Sequence, residues 1–155
     1  MTGVTRGFVG ERWLILVTDG LTIAFPPEVY RLPHHAEEEA ERWAWLLAQG
    51  RLDLVERPFE GRWQIDDYWV RLLHLQGIDD DALQLWIGSY WTRDGYPDPE
   101  AETFSSHDEA REWALQPASG RVLAEVSETP WSTAATFRVR DYEEYAVVHR
   151  AKVMA

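Results

Sequence analysis

The stretch Trp13-Leu-Ile-Leu-Val-Thr18, followed by Asp19-Gly20 and then Leu21-Thr-Ile-Ala-Phe25, decides the fold class. Both runs are rich in aliphatic and β-branched residues, and Asp-Gly is the two-residue sequence that type I′ hairpin turns favour. The reading is an opening β-hairpin.

Working outward, Pro26-Pro27 and Pro33 punctuate the chain before His35 to Gln49. There Ala36, Ala40, Trp43, Ala44 and Leu47 recur at helical spacing. Glu37, Glu38 and Glu39 are expected to favour the positive helix start, and Gly50 the stop. Adjacent His34-His35 reads as loop.

The middle of the chain reads as strands over Leu52 to Glu56, Trp63 to Ile65, Tyr68 to Leu75 and Ala82 to Trp91, separated by Gly, Asp and Pro. Thr92 to Glu102 carries two prolines, a glycine and four acids, the composition of a surface loop. Ser106-His-Asp-Glu109 has capping-box spacing and predicts a second helix ending near Gln116, before Pro117. Strands are expected at Arg121 to Ser127, Ala134 to Arg140 and Tyr145 to Val153. The order is ββα, a strand-rich middle, α, then βββ: an α+β domain of mostly antiparallel sheet with two helices packed on it.

Glu39-Ala-Glu-Arg-Trp-Ala44 and Glu109-Ala-Arg-Glu-Trp-Ala114 share Glu-Ala-x-x-Trp-Ala. A degenerate duplication of a ββα unit would produce this echo. So would the demand that any helix laid on a sheet carry small residues and one large anchor.

At 155 residues the chain is expected to form one domain, with a core that needs no disulfide or structural metal. It has no cysteine, which excludes disulfides, thiolate zinc sites, iron–sulfur clusters and a cysteine nucleophile. No basic-then-apolar leader pattern opens it, and no apolar run is long enough to span a bilayer, so a cytoplasmic protein is expected. Arginine outnumbers lysine fourteen to one, with Lys152 the single lysine, which suggests a GC-rich bacterial or phage genome.

Charge narrows the function. The net charge is −12, and residues 34 to 117 alone hold 19 acids against seven bases. That field disfavours phosphate backbones and anionic membranes, so neither nucleic acid nor membrane is expected as a direct partner.

Nine tryptophans are expected to be mostly core, with Trp43 and Trp113 anchoring the two helices. Trp45 differs, because at about 100° per residue it falls on the polar side of the first helix, among Glu38, Glu41 and Arg42. A tryptophan flanked by charge is a common interface hot spot. These four residues, with Asp94, Tyr96, Asp98 and Glu100 of the acidic loop, form the expected partner-binding set.

A second candidate is an aromatic ligand pocket made by Trp86 and Tyr90, in phase on one strand, with His74 as a polar group. No histidine or acid spacing matches a metal motif, and no phosphate-binding or nucleophile-elbow motif occurs. No metal, cofactor or catalytic residue is expected, and the enzyme reading is the weaker one.

The leading expectation is a non-catalytic, acidic interaction module that docks on a basic partner surface, such as a nucleic-acid-handling enzyme. Inhibitors and immunity or anti-defence proteins have this character, some by presenting carboxylates where the target expects phosphates. The alternatives are a small-molecule-binding domain or small enzyme, and an oligomer-forming structural protein whose strand Tyr145 to Val153 pairs edge to edge in a homodimer.

Overall fold

The computed structural model describes residues 10–19, 23–77, 85–91, 101–116 and 119–154. These residues form an α+β structure with two helices and two mostly antiparallel sheets.

The first sheet is built from β1 (Arg12–Thr18), β2 (Glu28–Tyr30), β3 (Glu56–Phe59), β4 (Arg62–Ile65) and β5 (Tyr68–Leu75), with helix α1 (Pro33–Leu47) between β2 and β3. The second comprises β6 (Trp86–Trp91), β7 (Glu102–Phe104), β8 (Val122–Thr129), β9 (Ser132–Val139) and β10 (Tyr142–Arg150), with α2 (His107–Leu115) between β7 and β8. Their strand orders are β2-β1-β5-β4-β3 and β7-β6-β10-β9-β8, so both sheets have one wiring. A last strand, β11 (Lys152–Val153), leaves the second sheet and joins the first, pairing in parallel with β2.

Alternation along the central strands sorts the core into layers. Leu14 and Leu16 of β1 meet Ile87 and Trp91 of β6 and Val147 of β10 between the sheets. The other face of β1, Ile15 and Val17, packs under α1 with Ala36, Ala40 and Ala44. Trp86, Ala146 and Val148 likewise pack under α2 with Ala110 and Ala114. The layers therefore run helix, sheet, sheet, helix.

In both helices the shared motif acts alike: its alanines are buried, which lets the backbone approach the sheet, and Trp43 and Trp113 pack from the side. A common packing demand accounts for the echo whatever its origin. Gly88 belongs to the same arrangement, since its bare Cα admits Trp113.

Several expected boundaries move. Strand β1 pairs along its whole length with β5 and over three residues with β2, with Trp13 opposite Tyr30; of the expected second hairpin strand, Ile23 contributes a single bridge to Thr18, and residues 20–22 lie outside the described residues. Leu52 to Leu54 is a 3-10 turn, and the strand begins at Glu56. The short β7 carries too few residues for alternation to reveal.

Helix α1 starts at Pro33, whose fixed φ suits a first helical position, so His34 and His35 are helical and Glu37 to Glu39 lie beyond the first turn. It ends in a Schellman motif: the Gly50 N–H donates to Trp45 O at 3.0 Å and the Gln49 N–H to Leu46 O at 3.1 Å. Gln49, rather than Gly50, takes the reversing position, at φ 53°. At α2 the Ser106 hydroxyl accepts the Glu109 N–H at 3.2 Å, as the spacing predicts.

No helix among the described residues is long and apolar enough to cross a membrane.

Candidate interaction surface

The outer face of α1 is the strongest candidate. Its buried stripe of Ala36, Ala40 and Ala44 turns Glu38, Glu41 and Trp45 outward, at spacings of three and four residues. Trp45 is 48% exposed and its neighbour Leu46 is 49% exposed. The indole lies over the helix stop, with Cζ2 3.5 Å from where a Cβ on Gly50 would stand. Arg42 does not stack on it; its guanidinium lies 3.8 Å from Glu39. Glu37 lies 3.8 Å from Arg57, leaving Glu38 and Glu41 with no ion pair among the described residues.

The chain leaves the helix through the 3-10 turn Leu52–Leu54. Leu52 is 66% exposed. Beyond it, Asp53, Leu54, Glu56, Gln64 and Asp66 line a dish of about 250 Å³. Asp66 sits at the β4–β5 turn with φ 52°, a conformation that aspartate tolerates better than most residues. Glu56 and Gln64 are paired across β3 and β4 and alternate with Trp63 and Ile65, so these two side chains lie on the side of the first sheet opposite α1. The exposure of Leu46 and Leu52 and the acidic dish are not legible in sequence, because the dish gathers Asp53 of the 3-10 turn, Glu56 of β3 and Asp66 of the β4–β5 turn.

Asp94, Tyr96, Asp98 and Glu100 lie outside the described residues.

The second candidate set is not brought together. Trp86 and Tyr90 lie on the α2 side of the second sheet, where Trp86 is buried and stacks on His107 at 4.2 Å between ring centres. The Tyr90 hydroxyl donates to Glu144 at 2.6 Å. His74 is on the first sheet, stacked on Trp13 at 5.1 Å, with Nε2 3.5 Å from Glu11. Alternation placed Trp86 and Tyr90 in phase correctly, but the face they share is filled by α2.

Glu144, buried beneath this layer, accepts from both Tyr90 and the Arg121 guanidinium. Burial alone would raise its pKa, but the two hydrogen bonds and the Arg121 charge outweigh it and hold the carboxyl below its ordinary value. Burial and the bond to Glu144 push the Tyr90 hydroxyl up. This triad ties β6 and β10 to the start of β8.

Strand β10 has β6 on one side and β9 on the other, so Tyr145 to Arg150 offers no edge for pairing between copies. Sequence alternation marks a strand but not its neighbours. Among the described residues no three histidine or acidic side chains converge as metal ligands.

A family model, a curated protein or a solved structure that matches this chain was found in none of the three comparisons.

Proposed function

We propose that this protein is a non-catalytic interaction module whose α1 face docks on a basic surface of a partner protein, in the manner of an inhibitor or an immunity or anti-defence protein. The observation that carries the reading is the exposed indole of Trp45 beside Glu38 and Glu41. An indole held half in water by a rigid helix loses little conformational freedom on binding and buries a large apolar area, the profile of an interface hot spot. The surrounding carboxylates speed encounter with a cationic surface and reject anionic ones.

The test is affinity capture from a native host lysate at low and high ionic strength, with wild type beside Trp45→Ala and the pair Glu38→Lys, Glu41→Lys. The reading expects a basic protein that is retained by wild type at low salt, released by salt, and lost by both variants while the domain stays folded. Capture that is indifferent to salt and to both variants would refute it.

A further inference from the structure

A second site lies at the seam between the sheets. Strand β10 ends at Arg150, the Ala151 N–H donates to Leu85 O at 2.8 Å, and the Lys152 N–H donates to Pro27 O at 2.7 Å. The chain thereby steps from one sheet to the other and leaves a cavity of about 580 Å³ beside the crossing. Pro26, Trp131, His149, Arg150, Lys152 and Val153 line it. Its volume is within the roughly 300–1,000 Å³ of small-molecule sites.

The lining is unlike the rest of this acidic chain. It holds the single lysine and an arginine, and among the described residues no carboxylate forms an ion pair with either. Trp131 stands at the two-residue turn Pro130-Trp131 between β8 and β9, 50% exposed. Its backbone is fixed at both ends: the N–H donates to Thr129 Oγ1 at 3.3 Å, and the carbonyl accepts the Arg150 N–H at 2.8 Å.

His149 is buried, with Nδ1 2.8 Å from the Arg150 carbonyl. A carbonyl only accepts, so Nδ1 carries the proton and Nε2 is left as an acceptor. Burial and the nearby Arg150 charge lower its pKa and so favour the neutral ring, outweighing the hydrogen bond to the Arg150 carbonyl, which raises it.

We infer that this cleft binds a nucleoside monophosphate, with the base stacked on Trp131 and the phosphate held by Arg150 and Lys152. Guanidinium and ammonium groups are the usual phosphate partners, and an indole face accepts any planar base. A single phosphate fits two cations, whereas a nucleic-acid strand would meet the net negative charge of the whole chain.

The test is titration of the full chain with AMP, followed by the indole N–H resonances of ¹⁵N-tryptophan, with Trp131→Phe identifying the Trp131 signal. Adenosine and inorganic phosphate are the controls. The inference expects saturable movement of the Trp131 signal at millimolar or lower AMP, and at least about tenfold weaker binding of adenosine and of phosphate. Arg150→Gln with Lys152→Gln should weaken AMP binding by about tenfold or more at unchanged melting temperature, while Glu38→Lys with Glu41→Lys should not weaken it. A Trp131 signal that AMP leaves unmoved, adenosine binding as tightly as AMP, or a charge-neutralised variant that binds normally would each overturn it.

Discussion

The Trp113 indole occupies the space that a side chain at Gly88 would need: a Cβ there would stand 2.8 Å from Trp113 Cζ3 and 3.1 Å from Phe104 Cε2. Two rings from α2 and β7 thus close over the backbone of β6, and the helix can sit low on the second sheet. Gly88→Ala should therefore lower stability by about 1–3 kcal/mol, the usual cost of overpacking a filled core. Denaturant unfolding of the variant checks this, and paired replacement of Trp113 by a smaller apolar residue should recover part of the loss.

Glu144 links stability to pH. Its carboxyl titrates below its ordinary value near 4.5 because Arg121 and Tyr90 hydrogen-bond to the ionised form, overcoming burial. A depressed folded-state pKa contributes stability above the unfolded value, and that contribution disappears as pH falls through the folded one. Wild type should lose stability on acidification below about pH 4.5, and Glu144→Gln should flatten that part of the profile while costing stability at neutral pH. Melting temperature against pH for the two proteins is the measurement; parallel profiles would contradict the assignment.

Gln49 holds a positive φ of 53° at the end of α1. Left-handed backbone costs an L-residue about 1 kcal/mol that glycine does not incur. Gln49→Gly should therefore raise stability by up to about 1 kcal/mol, less the extra entropy of the unfolded chain. A drop in the unfolding midpoint would show that the Gln49 side chain does more than fill the turn.

Trp45→Ala and the Glu38→Lys, Glu41→Lys pair remove exposed groups and should change folding stability by no more than about 0.5–1 kcal/mol. Binding to a basic partner should nevertheless fall, with the charge pair acting mainly on the association rate and its salt dependence and the indole on dissociation. Surface-resonance kinetics at two ionic strengths would separate the two effects.

How much of this was legible beforehand depends on the range of the interaction. Tyr68 to Leu75 was bounded correctly because alternation and flanking turn residues are local. The same holds for the Ser106 cap, and for the exposure of Trp45, which follows from its angle to the alanine stripe. Strand β2 is not legible and Leu52 to Leu54 reads as strand rather than 3-10 turn, since a three-residue element has no period and its identity comes from the neighbours it bonds. The cleft is not legible in sequence: Pro130-Trp131 between two strand runs signals a hairpin tip, but nothing local says that Arg150 and Lys152 will arrive beside it.

Residue order alone therefore determined the class of the protein: helices from a 3.6-residue period, strands from alternation, antiparallel pairing from short turns, and an acidic middle segment from composition. Tertiary structure decided the partition into two sheets, the burial of Trp86 and Tyr90 under α2, the enclosure of β10, and the meeting of Trp131 with Arg150 and Lys152. Those outcomes rest on contacts between distant residues, whose energies exist only once the two sheets have packed and the chain has crossed from one to the other.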